Sequence, residues 1–123
     1  MVQFNTARPI FLQISERVGA DIMTGVYPPG SKLPSVRDLA STFGVNPNTM
    51  QRALADLEGQ GLVDTYRTVG RTVTEDKAAI AQARQNLVRQ RAREFVESLR
   101  GFDYSPEDLT DIIRQCIKED DTK

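Results

Sequence analysis

The chain has 123 residues, 39% hydrophobic and 27% charged, with 16 basic and 17 acidic side chains and a net charge of −1. That balance fits one compact soluble domain with an appended helical element, and no apolar run approaches a membrane span or a signal-peptide core. There is no histidine, and the single Cys116 has no internal partner, so a disulfide framework is excluded and a reducing cytoplasm is the expected setting.

Taken in order, Pro9 reads as the first residue of a helix in which Phe11, Ile14, Val18 and Ile22 recur at helical spacing, with Met23 beside them. Gly25 ends it. Tyr27-Pro28-Pro29-Gly30 is turn chemistry, and Ser31-Lys32-Leu33 reads as an extended connector.

The stretch from Ser35 to Gly61 organises the chain. Ser35 with Asp38 three residues on is a helix start, and Leu39, Ala40 and Phe43 make the inner face of a short helix. Gly44 stands where the backbone must turn through the left-handed region, with Val45 as the apolar plug of the turn. Asn46 is an N-cap and Pro47 suits the first helical position of a second helix. Met50, Ala53, Leu54 and Leu57 form its inward stripe, leaving Asn48, Thr49, Gln51 and Arg52 outside on its first turn and a half.

Two helices so joined have the layout of a DNA-reading helix-turn-helix, whose second helix enters the major groove by its N-terminus. The outward residues suit that role, since Asn and Gln bond an adenine edge, Arg a guanine edge, and Thr a phosphate. A plain helical hairpin in a core is the alternative for this stretch alone. After Gly59 and Gly61, residues 62–67 read as a strand, 72–74 as its partner and 68–71 as the loop. A two-stranded ribbon at this place is a wing, with Arg67, Thr68 and Arg71 around Gly70 at its tip, able to reach a phosphate or the minor groove.

The near-neutral charge makes placement matter more than the total. Residues 1–75 carry seven basic and seven acidic groups. Lys32, Arg37, Arg52, Arg67 and Arg71 belong to the expected reading surface, as do Ser35 and Asn46 at the two helix starts, whereas Glu16, Asp21, Asp56 and Glu58 fall on other helices or at the far end of the second one. DNA affinity is expected to be modest for one copy and strongly salt-dependent.

From Pro9 to Val73 the chain resembles the winged helix-turn-helix domain of the GntR family of bacterial transcription regulators. The motifs that carry the likeness are PIFLQI, GVYPPGSKLPSVRDLA, FGVNPNTMQRALADLEGQGLV and the wing containing Gly70. The resemblance implies a dimer on operator DNA, most often a repressor, with Arg37 contacting backbone and base, Thr49 a phosphate, and Gly70 in the wing. Where many members carry Ser-Arg before the recognition helix and an Arg further on, this chain has Asn46-Pro47 and Gln51, so the usual base code does not transfer. The Val-Asn-Pro-Asn-Thr form is similar to the small-tailed YtrA subgroup, which implies control of transporter operons and of the regulator's own gene.

Residues 76–123 are expected to form a two-helix dimerisation tail, separate from a DNA-binding domain at 1–75. Leu87, Val88, Ala92, Phe95, Val96 and Leu99 supply apolar positions on the first helix, along with Ile80. Arg89, Arg91 and Arg93 read as a solvated face. Gly101-Phe102 breaks that helix. Ser105, Pro106 and Asp108 then start a second one, whose stripe is Leu109, Ile112, Ile113, Cys116 and Ile117. Two such faces are covered most economically by a second copy, the alternative being that the hairpin folds back on its own chain.

So short a tail has no room for a ligand pocket of about 300 Å3, so a small-molecule effector has no obvious site. No catalytic residue, cofactor or metal-ligand spacing is evident, and an enzyme is not expected. The expected fold is mainly α with a small β-hairpin, and the expected function is a homodimeric DNA-binding repressor. The rival is a winged-helix protein-interaction module.

Overall fold

The computed structural model describes residues 3–121. The elements run α1 (Ile10–Met23), α2 (Val36–Phe43), α3 (Pro47–Gly59), β1 (Val63–Tyr66), β2 (Gly70–Val73), α4 (Lys77–Ser98) and α5 (Pro106–Asp121). This is the mainly helical chain with a small β-hairpin that the sequence pattern predicts.

The helix starts follow from local chemistry. Ser35 Oγ accepts the Asp38 N–H at 3.1 Å to open α2, and Asn46 Oδ1 accepts the Thr49 N–H at 2.9 Å to open α3. Between them Gly44 adopts φ 70°, a conformation that a Cβ would strain, and so closes α2. Pro9 caps α1 from outside rather than starting it, and Thr24 follows its last residue.

The stripes converge on one core. Ile14, Val18 and Ile22 of α1 meet Met50, Leu54 and Leu57 of α3, all essentially without exposure. Gly19 lets these helices close up, since a Cβ there would stand 3.3 Å from Leu57 Cδ2. The one buried hydroxyl of α1, on Ser15, donates to Asp56 Oδ2 of α3 at 2.6 Å, so its burial leaves no polar atom without a partner.

β1 and β2 pair antiparallel in the register Val63↔Val73 to Tyr66↔Gly70. The hairpin is anchored at its base by buried Leu62, Val63 and Val73. Gly70 and Arg71, expected in the loop, lie in β2, and the turn is residues 67–69. The connector at 31–33 is not a passive link either. Leu33 donates its N–H to Arg71 O at 3.0 Å, Val73 donates to Ser31 O at 2.8 Å, and Lys32 forms an isolated antiparallel bridge with Thr72, so this segment is hydrogen-bonded along the edge of β2.

Two compact units divide the chain, the first ending at Asn86 and the second beginning at Leu87. The core reaches past Glu75: Asp76 caps α4 by accepting the Ala79 N–H, and Ile80, read from sequence as part of the tail's apolar face, is buried in the first unit with Ala83 packed beside it. In the second unit Gly101 takes φ 91° after α4, and Ser105 Oγ accepts the Asp108 N–H to start α5. No residue of α5 is buried.

Candidate nucleic-acid interface

The first turn of α3 is presented by its cap. With Asn46 tied to the Thr49 N–H and Pro47 needing no partner for its missing donor, the helix starts without fraying. Met50 is fully buried on one side, and this fixes the rotation that leaves Asn48 and Gln51 exposed and Thr49 half-buried on the other. The side-chain amides of Asn48 and Gln51 make no hydrogen bond among the described residues, so they are available to a partner. The side chains of Ser35 and Asn46, both expected on DNA, are engaged in caps.

Arg37 is exposed at the second position of α2, and Lys32 is exposed on the strand segment beside β2. Arg67 and Thr68 are exposed in the hairpin turn. Gly70 has φ 87°, and the Lys32 chain passes over it: a Cβ there would lie 4.0 Å from Lys32 Cε.

Two of the expected cations sit differently from the expectation. Arg52 is exposed but turned toward α1, its Cζ 4.1 Å from the centroid of the Phe11 ring. Arg71 is not at the tip of the wing. It is half-buried within β2, and its Nε–H donates to Glu58 Oε1 at 3.0 Å. Thr65, the residue opposite Arg71, donates its hydroxyl to the same carboxylate oxygen. Glu58, set aside from sequence as lying at the far end of the second helix, is thus held against the wing. The Thr65 hydroxyl holds the Glu58 carboxyl below the usual carboxylate range; partial burial opposes this, and Arg71 adds to it. Neither Glu58 nor Phe11 was marked by the sequence pattern as part of this surface.

In the second unit Leu87, Leu99 and Leu109 are half-buried, while Val88, Ala92, Phe95, Val96, Ile112, Ile113 and Cys116 are exposed. Cys116, expected as a small core residue, therefore has no core to enter within the single chain. A concavity of about 540 Å3 lies between the end of α1 and the start of α4, lined by Ile22, Met23, Ile80, Lys77 and Arg84 among others. This is larger than the pocket volume for which the tail was expected to have no room, and its lining lies outside the tail's second unit. Among the described residues no group of acidic or sulfur side chains is placed to hold a metal, and no helix is long and apolar enough to cross a membrane.

A fold with a capped reading helix, a left-handed turn before it and a ribbon after it invites comparison with known regulators. The family model described as bacterial regulatory proteins, gntR family, matches residues 11–73, the span from α1 to β2. The chain belongs to the GntR family. The HTH-type transcriptional repressor YtrA of Bacillus subtilis (strain 168) is 30% identical over 99 residues, covering 78% of this chain and 76% of that one. A GntR family transcriptional regulator from Listeria monocytogenes superposes with a TM-score of 0.84 at 35% identity, covering 91% of this chain and 98% of the other, tail included. The structure of AraR(DBD) in complex with operator ORR3 matches at TM-score 0.53 and 28% identity, over 60% of this chain and 89% of that one. This GntR-family chain, with relatives of the YtrA kind, is a transcription regulator carrying a DNA-binding helix-turn-helix, as its relatives are, and not an enzyme.

Proposed function

We propose that the chain is a homodimeric repressor that occupies operator DNA through α3 and the wing, and that it controls a transporter-type operon together with its own gene. The observation that carries this reading is the pair of exposed side-chain amides, Asn48 and Gln51, left unengaged on the capped first turn of α3, together with exposed Arg37 on α2, Lys32 on the connector and Arg67 in the hairpin turn. Asn48 and Gln51 have the donor–acceptor pairs to bond adenine edges, and Thr49 stands at a helix N-terminus suited to phosphate. The cations fix register on the backbone without reading sequence. The AraR(DBD)–operator complex supports DNA as the ligand, and the repressor YtrA supports repression as the outcome.

Dimerisation rests on the second unit. Val88, Phe95, Val96, Ile112, Ile113 and Ile117 are all 40% or more exposed in the single chain. Exposed large apolar side chains at this density on two neighbouring helices of the sequence mark an interaction surface, and a second copy covers them with closed symmetry.

Hydroxyl-radical footprinting on the chain's own upstream region tests both claims. Two protected half-sites related by a two-fold axis, about 34 Å or a multiple apart along the duplex, are expected. A single isolated half-site would argue against the dimer. No footprint at any salt would turn the reading to a winged helix that presents its surface to proteins.

A further inference from the structure

We infer that Glu58 is a positioning residue for DNA engagement, gripping both strands of the wing so that the free end of the Arg71 guanidinium is presented to a phosphate. This rests on the reading of the chain as an operator-binding protein. One oxygen, Oε1, accepts from Thr65 on β1 and from Arg71 on β2, and these two residues stand directly opposite each other in the hairpin register. A single carboxylate on the recognition helix therefore holds the hairpin at mid-length.

The grip falls where the apolar hold ends. Val63 and Val73 are buried at the hairpin's base, whereas every residue from Asp64 to Gly70 is exposed. The link from α3 to β1 is residues 60–62, with Gly61 at φ 79° and Leu62 buried, so it fixes the hairpin only at its base. Segment 31–33 ties the backbone of β2 on its far edge, and Glu58 supplies the side-chain tie to α3.

Arginine is suited to this double role. Its planar guanidinium carries five donors in a fixed fork, so an Nε–H held by a carboxylate leaves the two Nη groups aimed and ready for an anion. Neither Nη of Arg71 has a hydrogen-bond partner among the described residues. Lysine has three donors but on one rotatable nitrogen at the end of a flexible stem, so holding one donor on a carboxylate would not aim the others in a fixed direction.

The alternative is that Glu58 is merely a negative charge near the DNA, and it predicts the opposite sign. Removing a carboxylate that only repels phosphates tightens binding, whereas removing one that positions Arg71 weakens it. The test is fluorescence anisotropy of an operator duplex with full-length wild type, Glu58→Ala, Glu58→Gln, Arg71→Ala and the Glu58→Ala/Arg71→Ala pair, at several salt concentrations. Thermal unfolding of each variant establishes that it is folded. Glu58→Ala and Arg71→Ala are each expected to weaken binding by about fivefold or more, and Glu58→Ala to cost under about twofold once Arg71 is gone, the signature of coupled residues. Arg71→Ala should also lower the salt slope by about one. Glu58→Gln keeps an acceptor oxygen and should recover part of the loss. Operator binding by Glu58→Ala or Glu58→Gln as tight as wild type, or tighter, would overturn the inference while leaving the DNA reading intact. A wild type that does not distinguish operator from shuffled DNA would instead remove the reading on which it rests.

Discussion

The guanidinium of Arg52 in α3 lies over the Phe11 ring of α1, with Cζ 4.1 Å from the ring centroid. A cation over an aromatic face is attracted by the ring's quadrupole, and the contact here joins the recognition helix to the helix that backs it. Arg52 is on the same helical turns as Gln51 but is held toward the protein. We expect Arg52→Ala to lower stability by about 0.5–1 kcal/mol and to change operator preference less than Gln51→Ala does. Binding-site selection with the two variants, alongside denaturant midpoints, checks this.

The Asn46 cap predicts a stability effect separable from recognition. Asn46→Ala removes the acceptor for the Thr49 N–H and should cost about 1 kcal/mol, while Asn46→Gly should cost only a few tenths. For a domain of this size the first change should lower Tm by about 4–8 °C. Differential scanning calorimetry of the two variants separates a capping role from a base-reading one, because only the former orders them this way.

Glu58 gives the molecule a defined acid limb. Its folded-state carboxyl is depressed, chiefly by the Thr65 hydroxyl, so its contribution to stability is fully present above the ordinary glutamate range. That contribution is lost as the pH falls through that range toward the lower folded value. Glu58→Gln should therefore reduce stability at neutral pH and flatten its decline in acid. Urea midpoints measured from neutral to strongly acidic pH would reveal it, and parallel curves for the two proteins would contradict it.

The tail predicts a clean separation of folding from assembly. Ile113 is 43% exposed on α5, outside the first unit, so Ile113→Glu should leave the winged domain folded. Placed in a self-complementary interface, the new carboxylates would meet each other or an apolar partner, and either is costly. Sedimentation velocity should show a monomer for this variant and a dimer for wild type, with operator affinity falling in step.

What could be read from the sequence was local. Ser35, Gly44, Asn46 and Pro47 act through their own backbone or a neighbour three residues away, and the stripe from Met50 to Leu57 follows from helical period alone. These positions stand where the pattern predicts. What escaped was contact across distance. Leu33 pairs with Arg71 because the hairpin brings β2 to the connector, and no periodicity in three residues announces that. Glu58 and Arg71 meet only because β1 and β2 fold back along α3. Ile80 looked like the start of the tail's stripe, since an apolar residue on a helix does not say which neighbour buries it. Gly70 suggested a loop by its type, yet its positive φ is compatible with closing the turn from within β2.

The most direct test of the central claim is anisotropy of a labelled duplex from the chain's own upstream region, titrated with protein across a range of salt and compared with a shuffled duplex. Operator binding by a dimeric regulator predicts two protomers per duplex and clear preference over the shuffled sequence. It also predicts an affinity that falls steeply as a power of salt concentration, because each phosphate contact releases a counterion. Equal, weak binding to both duplexes, or none even at low salt, would contradict it.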